Sequence, residues 1–344
     1  VLDHLLVSVV AAPLLTMLAL RLLVDRVWPR TVVTTGTAAA LLVAAASMIS
    51  LVALAAPAAI SLSGLVAGGV PGGEAWQNTV QPRWVAWVAL AALLAQVTMV
   101  AATARRQWTG LRAARAEAAA LPGTDDITVV TDERVDAFAL PGAPGRVVIT
   151  SGMMTALTAE QREVVLAHER AHLAARHHRH TFAARLAAAA HPGLRPLAPL
   201  LAYAVERWAD EAAARVVRDR GAVARGITAA ALLTSSSDAP RGKAALHIGS
   251  LRRDLCARHG GRRPGGALGD GPDGPRRSAR RLPLPNGSGP VPRRVAAMLA
   301  PALTNRPIRV LLSVLPAALA AASCGLAVEA MVDLPLPGAL DGDC

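Results

Sequence analysis

Leu166-Ala167-His168-Glu169-Arg170-Ala171-His172-Leu173 places two histidines four residues apart, with a glutamate directly after the first. On an α-helix, positions i and i+4 share one face, one turn apart. His168 and His172 can therefore direct two imidazole nitrogens at one cation, and Glu169 can reach a water on it. Neutral nitrogen ligands, an open coordination position and a carboxylate base are the parts of a zinc hydrolase. The flanks favour a helix. Thr158-Ala159-Glu160-Gln161 has the capping-box pattern, with Thr158 as N-cap and Gln161 reaching back. Val164, Val165, Leu166 and Leu173 supply apolar surface, and Ala167, Ala171, Ala174 and Ala175 allow close contact with neighbours. The expected helix runs from Ala159 to Arg179. The competing reading is a chance pattern on a solvated helix, and Arg176, His177, His178, Arg179 and His180 taken alone read as polar surface. The apolar run before the motif argues against chance.

A third ligand is needed for such a site. Tyr203-Ala204-Val205-Glu206-Arg207-Trp208-Ala209-Asp210 offers Glu206 and Asp210 one helical turn apart. Glu206 would complete a site of two histidines and one glutamate. Asp210 would accept a hydrogen bond from a ligand histidine and fix its tautomer. A surface helix with both carboxylates in water is the alternative.

His168-Glu169-x-x-His172 followed by Glu206-x-x-x-Asp210 resembles the membrane metallopeptidases of families M48 and M56. The first includes the HtpX-like heat-shock proteases and the prenyl-protein endoproteases. The second includes the antirepressor proteases of β-lactam-sensing receptors. Asp136-Ala137-Phe138-Ala139-Leu140 and Arg146-Val147-Val148-Ile149-Thr150 resemble the strand pair that precedes the zinc helix in that group, with Asp136 where an asparagine is usual. The resemblance implies one Zn2+ per chain on His168, His172 and Glu206. It implies Glu169 as the catalytic base, Asp210 behind a ligand histidine, and peptide-bond hydrolysis as the reaction.

Apolar residues make up 53% of the chain, yet aromatic residues only 3%, and the apolar residues cluster in blocks. Four stretches approach the roughly 20 residues that cross a bilayer. They are Leu5 to Leu23, Thr35 to Ile60, Trp84 to Ala104 and Val310 to Val328. Trp84, Trp87 and Trp108 flank the third as interfacial anchors. Arg21, Arg26 and Arg30 follow the first stretch, and Arg105, Arg106, Arg112 and Arg115 follow the third. Glu329, Asp333, Asp341 and Asp343 follow the fourth without a basic residue. The positive-inside rule then sets the N-terminus outside and Arg105 to Arg309 in the cytoplasm. This layout is similar to that of the M56 receptors, without their penicillin-binding sensor.

Ile127 to Val130, Ala137 to Leu140 and Arg146 to Thr150 read as short strands. The strand before the zinc helix either pairs with an extended substrate or belongs to an ordinary small sheet covering that helix. Thr181 to Ala202 reads as a packed or membrane-grazing helix pair broken at His191-Pro192-Gly193, with His191 as a capping or a solvated histidine. Ala222 to Leu233 reads as a further helix. From Ser235 to Pro292 the composition turns to Gly, Pro, Ser and Arg. Eleven arginines face three aspartates between Ser250 and Val295, in a chain of formal net charge +12. Such a segment buries too little apolar surface to fold alone. No aromatic residue interleaves there for base stacking, so anionic lipid is the expected partner and specific nucleic-acid binding is not expected. Pro292 to Leu299 reads as a short helix. Cys256, Cys324 and Cys344 have neither disulfide nor metal-ligand spacing.

The expected molecule is a mainly α membrane protein. It has about four transmembrane helices and a cytoplasmic α+β zincin-like metallopeptidase domain with a small sheet. Residues 1–104 form the N-terminal membrane region, 105–234 the peptidase domain, 235–292 a disordered insert, and 293–344 a short helix, the fourth span and a short tail. It would sit as a multi-pass protein in a bacterial plasma membrane. Its partners would be the bilayer and a protein substrate, either a transcriptional repressor or misfolded membrane protein. Tyr203 is a weak candidate to assist at the oxyanion and is not assigned. The other function class is a non-catalytic membrane sensor or scaffold with a structural zinc. Glu169 disfavours it, since a structural site needs ligands but no base.

Overall fold

The computed structural model describes residues 10–66, 82–123, 125–236 and 289–303, together with 314, 318, 320–325 and 328. The chain divides into two compact units. One comprises Val1–Trp108, Arg179–Ala204 and Asn305–Cys344, and the other Thr109–His178 and Val205–Thr304.

The first unit is built on helices α1 (Ala12–Leu23), α2 (Pro29–Val66) and the part of α3 (Arg83–Ala120) up to Trp108, the rest of α3 belonging to the second unit. Two of them, α2 and α3, are long and apolar enough to cross a membrane, which is consistent with membrane association. Each has 38 residues, about 57 Å at 1.5 Å per residue, against about 30 Å of hydrocarbon. The expected third span and the basic stretch after it are one unbroken helix, because no glycine-proline signal separates Ala104 from Arg105. Trp84, Val88, Leu94 and Val97 lie exposed along α3. Leu51, Leu54 and Ala55 of α2 meet Val85, Ala89, Leu90 and Leu93 of α3. A Cβ on Gly36 would come within 2.9 Å of Leu201 and 3.0 Å of Leu20, so glycine is what lets α1 and the later helix approach α2. The expected first span appears as the 12-residue α1, preceded by undescribed residues. Most of the expected fourth span, the basic insert from 237 to 288, Cys256 and Cys344 also lie outside the described residues.

In the second unit, strands β1 (Ile127–Val130), β2 (Ala137–Leu140) and β3 (Arg146–Thr150) form a mixed sheet in the order β1-β3-β2. Ile127 to Val130 pair in parallel with Val147 to Thr150, and Ala137 to Leu140 pair antiparallel with Ile149 to Arg146. All five residues of β3 are buried. The expectation that the strand just before the zinc helix pairs with substrate is therefore corrected. β3 is central, its hydrogen bonds are taken on both sides, and the edge strands are β1 and β2. One face of the sheet meets Ala114 and Ala118 of α3, and the other meets Met153, Leu157 and Val165.

After the sheet come α4 (Ser151–Ala156), α5 (Ala159–Ala174), α6 (His177–Ala190), a 3-10 turn Pro192–Leu194, α7 (Leu197–Val217), α8 (Arg220–Ser236) and α9 (Pro290–Leu299). The capping box on α5 is present in both directions, Thr158 Oγ1 accepting from Gln161 N and Gln161 Oε1 from Thr158 N. The helix stops earlier than expected. Arg176 adopts φ 50°, a left-handed turn that closes α5 and starts α6 in a new direction. Within the second unit, Val164 and Ala167 of α5, Ala213 of α7, Val223 and Ile227 of α8 and Met298 of α9 form one apolar cluster. Arg220 locks the end of α9, donating to the carbonyls of Ala297 and Met298 while it pairs with Glu211. The α9 segment thus returns from beyond residue 288 to cover α5 and α8.

Candidate metal centre and catalytic cleft

The i, i+4 spacing on α5 brings His168 and His172 together as expected, their Nε2 atoms 3.1 Å apart. From α7, Glu206 lies 3.6 Å from His168 Nε2 and 3.7 Å from His172 Nε2 through its two oxygens. One atom from each of the three residues falls within 4.8 Å of the others, a group able to hold a metal ion. Donors at about 2.0–2.1 Å from a tetrahedral zinc stand about 3.3 Å from one another. The two nitrogens and the carboxylate fit such an ion in spacing and in chemistry.

The ligand side chains are held from behind. His168 Nδ1 is 3.0 Å from Asp210 Oδ1. Asp210 is fully buried and paired with a residue that the sequence reading missed, Arg294 of α9. Its Nε donates to Asp210 Oδ2 at 2.8 Å and its Nη2 to Oδ1 at 2.6 Å. Nη1 lies 2.9 Å from Glu206 Oε2. One guanidinium therefore spans both carboxylates on α7. A signal for it existed. Val291, Val295 and Met298 mark a core-facing stripe, and Arg294 lies on that stripe, one turn before Met298.

Burial works against charge on all of these groups, and for all but His172 their mutual attraction overcomes it. For Glu206 and Asp210, burial pushes the pKa up, but Arg294 and His168 hold both carboxyls below their ordinary value. Burial likewise opposes the charged form of Arg294, and Asp210 with Glu206 more than restores it. The histidines diverge. Burial lowers His168, but Asp210 and Glu206 raise it to about 9. Burial, followed by the charges of His168 and Arg294, brings His172 down to about 4. When no metal is bound at neutral pH, His168 is thus protonated and its Nε2–H donates to His172 Nε2. A divalent cation must displace that proton, after which the formal charges of the cation, Arg294, Asp210, Glu206 and Glu169 sum to zero.

A pH dependence follows. Zinc binding releases one proton from His168 below pH 9 and none from His172 above pH 4, so the apparent affinity rises about tenfold per pH unit between pH 6 and 8. Titration calorimetry in two buffers of different ionisation enthalpy checks this: a proton release near zero would contradict it.

Beside the ligands a cleft is lined by Glu169, His168, Arg294, Ala137, Ala230 and Val291, among others. A Cβ on Gly226 would meet Val164 at 2.7 Å, so this glycine allows the α8 wall to lie directly on α5. Tyr203 is not part of the site: it belongs to the first unit, where its hydroxyl bonds Asp25 Oδ1 at 2.9 Å. His191 caps the 3-10 turn through Nδ1 and Gly193 N, as expected. His177, expected at the polar surface, is instead 2% exposed, with Nδ1 3.0 Å from His172 Nδ1. The left-handed turn at Arg176 swings it inward.

An α+β unit thus places paired histidines on one helix and two carboxylates on the next, with three of these four residues forming a group able to hold a metal ion. Residues 101–235 match the family model of Peptidase family M48. That segment holds the sheet, α4 to α7, all but the last residue of α8, and the residues from His168 to Asp210. Arg294 lies beyond it. No curated protein and no solved structure matches the chain.

Proposed function

We propose that the chain is an integral-membrane zinc metalloendopeptidase. His168, His172 and Glu206 hold one zinc ion, and Glu169 serves as general base. The observation that carries this reading is the convergence of two Nε2 atoms and the Glu206 carboxylate beside a cleft containing Glu169, within a segment matching a peptidase family. Zinc would supply Lewis acidity toward a peptide carbonyl and toward a water. Glu169 takes the proton of the attacking water and delivers it to the departing amine. Asp210 keeps the His168 proton on Nδ1, so that Nε2 faces the ion. Arg294 is shared between Glu206 and Asp210 and offsets part of their charge. Ala137, the first residue of edge strand β2, lines the cleft, which favours an extended substrate pairing along β2.

The long apolar helices α2 and α3 support insertion in a bilayer, and the arginines after Ala104 favour a cytoplasmic zinc site. A repressor or a misfolded membrane protein is the substrate class in keeping with that side. Of the two families resembled, M48 is the one whose model matches.

Metal removal tests the reading. The full chain in detergent is expected to contain one zinc by mass spectrometry and to cleave an unfolded protein. A chelator should abolish cleavage, and added zinc should restore it. Purified protein without zinc and unable to take it up would overturn the proposal. Bound zinc without cleavage of any protein would favour the sensor or scaffold class.

A further inference from the structure

We propose that His177 is a positioning residue, the hydrogen-bond acceptor that orients the ligand His172. The assignment rests on the zinc reading above. His177 opens α6 directly after the left-handed Arg176, and its side chain is buried against the metal centre. Its Nδ1 lies 3.0 Å from His172 Nδ1. The two rings meet edge to face, with centroids 4.7 Å apart at 86°. On its other side His177 meets Trp208 at 4.7 Å and 61°, and Trp208 sits on α7 between Glu206 and Asp210.

Proton bookkeeping assigns the roles. The Nε2 of His172 is the nitrogen facing His168 and Glu206, so Nε2 must offer its lone pair to a cation. A neutral imidazole has one N–H, which is then on Nδ1. That N–H points at His177 Nδ1, which must accept. Both ligand histidines are therefore fixed in the same tautomer, by different groups: a buried carboxylate for His168 and a neutral imidazole for His172. The choice suits the local charge. A second carboxylate behind His172 would add a negative charge to a cluster in which Arg294 is already shared between Glu206 and Asp210. His177 is not itself a ligand, since the nitrogen it brings to the site is turned to His172 Nδ1, on the far side of that ring from Nε2.

Three substitutions separate the hydrogen bond from the buried volume. In His177→Asn, the amide oxygen takes the place of Nδ1 as acceptor. In His177→Asp a stronger acceptor does so. In His177→Leu a side chain of similar size accepts nothing. Zinc affinity of the full chain in detergent is read by competition with a chelating indicator, and thermal unfolding of each metal-stripped variant reports the fold. Affinity is expected within about threefold of wild type for Asn, equal or higher for Asp, and about 10- to 100-fold lower for Leu. A folded Leu variant that binds zinc like wild type would overturn the assignment, as would an Asn variant as weak as Leu. If Leu does not fold, Asp or Asn binding more than about threefold more weakly than wild type overturns it instead. Wild type that binds no zinc marks the failure of the zinc reading, which is a different result from wild-type binding with no loss in Leu.

Discussion

Arg294→Met is expected to lower the stability of the fold by about 3–5 kcal/mol, the largest structural effect of any single substitution near the site. Asp210 is fully buried and Arg294 is 5% exposed. The guanidinium makes two hydrogen bonds to Asp210 and reaches Glu206 with its remaining nitrogen. Taking two carboxylates out of water is unfavourable, and their joint pairing with one cation offsets it. Methionine fills much of the volume and leaves buried Asp210 and part-buried Glu206 to share the His168 imidazolium alone. Glu206 and Asp210 then titrate upward toward their burial-driven values, because the charge that lowers them has gone. The unfolding midpoint of the metal-stripped chain in detergent should fall by on the order of 10 °C. Arg294→Lys should recover only part of this, since an ammonium cannot make the two-point contact. A fall of less than about 2 °C for Met would show that the pair is dispensable to the fold.

Glu169→Gln should cut the rate of peptide cleavage by about 10²–10⁴-fold while zinc remains bound. Glu169 lines the cleft beside His168, and the group able to hold the metal consists of His168, His172 and Glu206 without it. Glutamine keeps the shape and a hydrogen-bonding oxygen but cannot take a proton from water. Ligation and folding are thus left intact and only the proton transfer is lost. Single-turnover cleavage of an unfolded protein, with zinc content measured on the same sample, checks both halves. A loss below tenfold would remove Glu169 from the role of base. Loss of zinc along with activity would make it part of the metal's support instead.

What could be read from the chain was local. The capping box at Thr158, the facing of His168 and His172, the pairing of Glu206 with Asp210, the three strands and the His191 cap all depend on residues within a turn or two of one another. Helical periodicity, capping and β-branched runs express themselves at that range. The two long apolar helices were legible for a related reason, since length and composition suffice.

Tertiary structure decided the rest. The sheet order put β3 in the centre and left β2 at the edge beside the cleft, because pairing partners are chosen by which faces can be buried together. The turn at Arg176 is repaid by contacts that His177 makes with His172 and Trp208, so a histidine that reads as surface becomes buried. Arg294 reaches Asp210 across 84 residues of sequence, after a basic segment with no apolar pattern to follow. Local sequence determined which residues could bind a metal. Only the fold decided what stands behind them, because a buried charge or imidazole is stable only where a distant partner has been brought to meet it.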